Sequence, residues 1–130
     1  MNGSFLLDTN IIIAILAKDS LIHQKLLAAT EVFIPSIALG ELYYGALKSS
    51  RVESNIQIVS EFAAANRVMD CDSSTAQQYG QIKKQLREKG RPIPENDIWI
   101  AAVAKQHNLT LVSRDTHFDE VDGLELEHWR

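Results

Sequence analysis

The sequence predicts an α/β protein, a three-layer α/β/α sandwich around a central, mainly parallel sheet. Two observations predict it. Short apolar runs alternate with segments of helical periodicity, which implies parallel strands joined by right-handed helical crossovers. One late segment, Ile98 to Ala104, is apolar on nearly every side, as a central, covered helix must be.

Taken in order, Ser4 to Leu7 reads as a short buried strand, and Asp8-Thr9-Asn10 offers capping side chains for a helix over Ile11 to Ala17. Val32 to Ile34 is a second strand ended by Pro35. Leu39, Leu42, Tyr43, Ala46 and Leu47 then recur at helical spacing, as do Val52, Ile56, Val59 and Phe62. Arg67 to Met69 is a short strand candidate. Ser74 with Gln77 has the form of a capping box for a helix carrying Tyr79, Ile82 and Leu86 on one face, and Gly90 stops it. Pro92 and Pro94 mark a loop. Asn96 can cap the helix Asp97 to His107, and Leu109 to Ser113 and Leu124 to Leu126 read as the last two strands.

The chain's 130 residues, 45% hydrophobic, suit one core, so residues 1–130 are expected to form a single domain. No repeat, low-complexity stretch or linker interrupts them. A net charge of -4 lacks the overall basic character of a protein that binds nucleic acid through phosphate contacts alone. If nucleic acid is the substrate, cations other than side chains must help to hold it. Cys71 is the only cysteine, which excludes an internal disulfide and a cysteine zinc site and fits a reducing compartment, by default the cytoplasm. Asp8 and Asn10 interrupt the apolar N-terminal stretch, which has no basic leader and falls short of a membrane span.

Chemistry is expected where acids collect. In an open parallel sheet, ligands bind beyond the carboxyl ends of the strands. Asp8 and Asp115 follow two such ends, Glu41 lies in the helix after the second strand, and Asp97 opens the apolar helix. Singly, Asp8 can be a helix cap, Asp97 a complement to a helix N-terminus, and Asp115 a turn aspartate. Glu41 is harder to assign to structure. Its helical neighbours Ile37, Ala38, Tyr44 and Gly45 include no compensating base. Buried like charges without counter-ions take up protons or bind a cation, and an all-oxygen set suits Mg²⁺ or Mn²⁺. The histidines His23, His107, His117 and His128 show no zinc-ligand spacing; His117, close to Asp115, reads as an exposed loop residue.

Four stretches in order, LLDTNIIIAIL, PSIALGELYYGALKS, ENDIWIAAVAKQHNLTLVSRDTHF and VDGLELEHW, resemble the PIN-domain ribonucleases that act as VapC-type toxins of bacterial toxin-antitoxin pairs. The resemblance covers almost the whole chain. It implies that Asp8, Glu41, Asp97 and Asp115 bind the metal, with Asp119 competing with Asp115 for the last place. It also implies Mg²⁺- or Mn²⁺-dependent cleavage of RNA, a homodimer, and neutralisation by a small VapB-like antitoxin whose tail enters the cleft. Thr9, Asn10 and Ser36 sit where hydrogen bonds to the acids would be useful, and Ser113 stands where the family often has threonine.

On this reading metal-activated water attacks phosphorus in line, and Glu41 is a candidate proton acceptor. Lys48, Arg51, Lys83, Lys84, Arg87, Lys89 and Arg91 could track the RNA backbone, but a solvated helix face is the better explanation for most of them. Tyr43 and Tyr44 pose a similar choice between base stacking and packing, and Tyr43, which shares the apolar stripe, is expected to pack in the core. A phosphoacceptor receiver domain shares the length and the acidic pocket but needs paired acids after the first strand and a lysine after the last parallel one. Asp8 has no adjacent acid, and Ser113-Arg114 stand in place of the lysine. An aspartyl phosphatase would need an acid where Asn10 stands, and an EF-hand loop fails at Ile12 and Ile13. An inactive interaction module on the PIN fold is the remaining alternative.

Overall fold

The computed structural model describes residues 3–130. Five strands, β1 (Ser4–Leu7), β2 (Glu31–Pro35), β3 (Arg67–Met69), β4 (Thr110–Ser113) and β5 (Leu126–His128), form one sheet in the order β3-β2-β1-β4-β5, and each adjacent pair is parallel. Leu6 stands opposite Phe33 on one side and Leu111 on the other, so β1 is central.

Alternation along β1 divides the core. Phe5 and Leu7 face one layer with α1 (Thr9–Leu16), α2 (Ser20–Leu27), α3 (Ser36–Leu47) and α4 (Val52–Ala65), where Ile11, Ile22, Leu42, Val59 and Trp129 pack. Leu6 and Leu111 face the other, with Ile82 and Leu86 of α5 (Ser73–Lys89) and the apolar length of α6 (Glu95–His107). Residues 98 and 100–104 are all buried, which is why α6 lacks a polar face over that stretch. This is the sandwich that the alternating pattern predicts.

Local chemistry moves several boundaries. Asp8 does cap α1, accepting from the Thr9 amide at 2.8 Å. Helix α2 was not anticipated: it is only eight residues long with Ile22 alone buried, and its signal is Asp19, whose carboxylate accepts from the amides of Leu21 and Ile22. The capping box of α5 is Asp72 with Thr75, not Ser74 with Gln77. Gln106 of α6 donates to the same Asp72 oxygen at 2.8 Å, so tertiary contact selects the earlier start. Gly90 ends this helix at φ 68°, as expected of a left-handed cap. Helix α6 begins at Glu95 behind Pro94 with no side-chain cap, which corrects the assignment to Asn96 and places Asp97 inside the first turn. Strand β5 lies two residues later than Leu124 to Leu126, after a turn in which Gly123 has φ 74°.

Among the described residues, no helix is long and apolar enough to cross a membrane.

Candidate metal centre

The strand order changes direction beside β1: β2 and β3 lie on one side of it, β4 and β5 on the other. Such a switch point opens a crevice at the carboxyl ends of the two flanking strands. Asp8 follows β1 and Asp115 follows β4 by two residues, so backbone topology alone brings them to this crevice. Helices α3 and α6 add Glu41 and Asp97 from either side.

Asp8 is 4% exposed. Its Oδ1 accepts from the Thr9 amide, and its Oδ2 accepts from the Ser113 hydroxyl at 2.7 Å. Burial pushes its carboxyl from 3.8 up to about 6 against these two hydrogen bonds, and the charges of Asp97 and Glu41 push the same way. Burial also raises Asp97; contact with His117 opposes that shift, while Asp115 and Glu41 reinforce it. Asp97 and Asp115 offer ligand atoms within 4.8 Å of each other, together with His117, while Asp8 and Glu41 stand near enough to Asp97 for the charges to act on one another. Among the described residues, no lysine or arginine forms an ion pair with any of them.

Neighbouring polar groups fix the acids. Thr9 Oγ1 donates to Glu41 Oε1 at 2.8 Å, tying α1 to α3. Ser113 Oγ accepts from the Asp115 amide at 2.9 Å while donating to Asp8, so one buried hydroxyl sets the distance between two of the acids. Asn10 reaches the same segment, accepting from the Arg114 amide at 3.2 Å. Arg114 pins the loop from outside, donating to Asp19 at 2.9 Å and to the Trp129 carbonyl at 3.1 Å. Ser36 lies with Glu41, Tyr44 and Asn96 along an open groove of about 440 Å³.

His117 is exposed and close to Asp115, as expected, but it does more than a plain loop residue: its Nδ1 stands 3.1 Å from Asp97 Oδ2 and 3.0 Å from Asp115 Oδ2. The available signal was its two-residue spacing from Asp115, whose carboxylate accepts from the His117 amide at 2.9 Å and starts a 3₁₀ turn over Thr116–Glu120. Asp119, the alternative to Asp115, is instead 2.9 Å from His128 Nε2. Of the basic residues considered for RNA, Lys83 pairs with Glu95, Lys84 with Glu88 and Lys89 with Asp122. Tyr43 packs against the core with its hydroxyl on Ser60, whereas Tyr44 is 65% exposed.

A parallel α/β fold with carboxylates gathered at the switch point defines a class of acid-centred enzymes, and comparison with known proteins specifies which. The PIN domain model matches residues 5–124, and the chain belongs to that family. It is 37% identical to Ribonuclease VapC2 of Haemophilus influenzae over 128 residues, covering 96% of this chain and 97% of the relative. Identity and coverage are the same for the tRNA(fMet)-specific endonuclease VapC of Shigella flexneri. Among solved structures, DNA-bound VapBC from Salmonella typhimurium superposes with a TM-score of 0.91 at 35% identity and full coverage of both chains.

The residues present fit a divalent cation. Hard oxygen donors predominate, two of the acids hold protons more tightly than free carboxylates because burial disfavours their charge, and a cation would remove that penalty.

Proposed function

We propose that this chain is an endoribonuclease and the toxin of a VapBC-type pair, hydrolysing RNA phosphodiester bonds with Mg²⁺ or Mn²⁺ held by Asp8, Glu41, Asp97 and Asp115. The observation that carries this reading is a buried Asp8 facing the charges of Asp97 and Glu41, an arrangement costly to the fold and useful to a cation site. The names of the relatives supply the substrate class.

When bound, the ion supplies an activated water and charge stabilisation at the phosphate. The chain's own groups do the rest. Thr9 and Ser113 orient Asp8, and Thr9 also steadies Glu41, to which we assign uptake of the proton from the attacking water. The water oxygen bonds to phosphorus, the bond to the 3′ oxygen breaks, and that oxygen takes a proton. The products carry 5′-phosphate and 3′-hydroxyl ends. The chain acts as a homodimer whose cleft is closed by a VapB-like antitoxin. An apolar groove of about 450 Å³, lined by Ile13, Leu16, Leu42, Ile58 and Val59, runs to Thr9 and Glu41 and offers an antitoxin segment a path to the acids.

The test is purified protein with structured RNA, tRNA(fMet) first because the Shigella flexneri relative is named for it, with Mg²⁺ or Mn²⁺ and then with EDTA. Cleavage is expected only with metal, and Asp8→Asn and Asp97→Asn should each reduce it about a thousandfold or more. Cleavage that persists in EDTA overturns the mechanism. Co-expression with the cognate antitoxin should relieve any growth arrest, and arrest unrelieved by it counts against the toxin assignment.

A further inference from the structure

The four acids do not account for the imidazole between two of them. We propose that His117 is a nitrogen ligand of the metal centre, through Nδ1, and that it biases the site towards Mn²⁺ over Mg²⁺. The inference rests on the reading of Asp97 and Asp115 as metal ligands and adds a donor of different chemistry to that set.

Geometry is the first support. Two adjacent ligands on an octahedral ion with bonds of about 2.1 Å stand about 3.0 Å apart. His117 Nδ1 lies 3.1 Å from Asp97 Oδ2 and 3.0 Å from Asp115 Oδ2, so the nitrogen keeps that spacing to both carboxylates. The three residues offer ligand atoms that all lie within 4.8 Å of one another.

Placement is the second. The imidazole does not hang from a free loop. Its own amide donates to Asp115 Oδ1 at 2.9 Å, and the next residue, Phe118, is 1% exposed in the core. The ring is thus carried on backbone anchored at both ends, with its side chain 46% exposed and able to adjust when an ion enters. A histidine serving only as counter-ion to the two acids would be expelled by a cation; a ligand would stay. The chemical consequence follows from donor type, because imidazole suits transition metals, whereas Mg²⁺ prefers oxygen and water.

Pulsed EPR on Mn²⁺ bound to the full, tag-free chain reads this directly. The buffer must lack nitrogen donors, and a parallel sample carries ¹⁵N-histidine. The expected result is nitrogen modulation that changes on ¹⁵N labelling. It should vanish in His117→Asn, whose short amide can still hydrogen-bond Asp97 and Asp115 but makes a poor nitrogen ligand. Mn²⁺ affinity in that variant should fall about tenfold while Mg²⁺ affinity, measured by competition, changes about twofold or less. Mn²⁺ binding without histidine modulation, or with modulation that survives in the variant, overturns the proposal and leaves the four-acid site intact. Failure of the wild-type chain to bind Mn²⁺ at all sinks both.

Discussion

Replacing Asp8 with asparagine should stabilise the metal-free protein at neutral pH, although it removes a proposed metal ligand. The folded carboxyl keeps its proton up to about pH 6, whereas the unfolded one releases it near 3.8. Between those values the folded state binds more protons, so stability falls as pH rises. The neutral form's contribution is fully present below pH 3.8 and gone above about 6. At about 1.4 kcal/mol per pH unit, the loss from this one residue is about 3 kcal/mol. Asp97 is raised by the same cause and deepens the fall. Asp19, Asp72 and Glu95 have lowered values, so their stabilisation strengthens as pH rises; for Asp19 and Asp72 this range lies below the window of Asp8, while for Glu95, whose free value is 4.5, it reaches into the lower end of that window.

Asparagine will not recover the whole amount. In the wild type Ser113 Oγ donates to Asp8 while accepting from the Asp115 amide and, at 3.5 Å, from Asn10 Nδ2. An amide NH₂ in place of Asp8 Oδ2 brings a third donor to that hydroxyl, a mismatch of about 1 kcal/mol. The expected net gain is therefore about 2 kcal/mol at pH 7.5, or roughly 6 °C in melting temperature for a chain of this size. The assay is thermal and urea unfolding in EDTA at pH 4.5 to 8, then with saturating Mg²⁺. Wild type should lose stability through the window and regain it with Mg²⁺, while Asp8→Asn should show a flatter profile and little response to the ion. Equal stability of the two proteins in EDTA at pH 7.5, with no slope in wild type, would refute burial as the origin of the raised carboxyl.

Three other substitutions probe different parts of the argument. Ser113→Ala should cost about 2 kcal/mol in urea unfolding, since it strips a fully buried partner from Asp8 and from the Asp115 amide, and should move the acid limb of the pH-rate profile upward because a hydrogen bond lowering the Asp8 value is lost. Trp129→Ala should cost about 3 to 5 kcal/mol, because the indole is 3% exposed and packs edge-on to Phe5 at 5.3 Å. Arg67→Ala, which breaks an ion pair to Glu31 whose side chains are 71% and 44% exposed, should change the unfolding midpoint by no more than about 0.5 kcal/mol equivalent.

The sheet and its layers were legible because burial on both faces leaves parallel strands rich in apolar residues, FLL of β1 and the central LV of β4 among them. What escaped were features set by partners distant in sequence. Helix α2 carries too little apolar periodicity to announce itself and survives on its Asp19 cap. The start of α5 was displaced because Thr75, fully buried, and Gln106 both converge on Asp72, a contact between α5 and α6 that no local pattern records. For β5, the pairing of Ser113 with His128 outweighed the apolar look of Leu124 to Leu126.

The candidate site divides along the same line. Glu41 and Asp97 stood out as acids without a nearby base in apolar surroundings, and Asp8 by its place at the end of the first strand; both signals are properties of the immediate sequence. Asp115 against Asp119 could not be separated that way, since both lie in one short polar stretch; the 3₁₀ turn directs Asp115 towards Asp97 and leaves Asp119 with His128. His117 escaped for the same reason, its neighbours Asp97 and Asp115 being joined to it by the turn and by α6. The pattern has a thermodynamic origin: residues whose charge opposes the fold are conspicuous because nothing nearby compensates them, while residues that do compensate look ordinary until the chain closes. A site whose acids destabilise the empty protein must also be one in which ion binding and stability rise together, so the melting temperature in the presence of each metal measures the site independently of any cleavage assay.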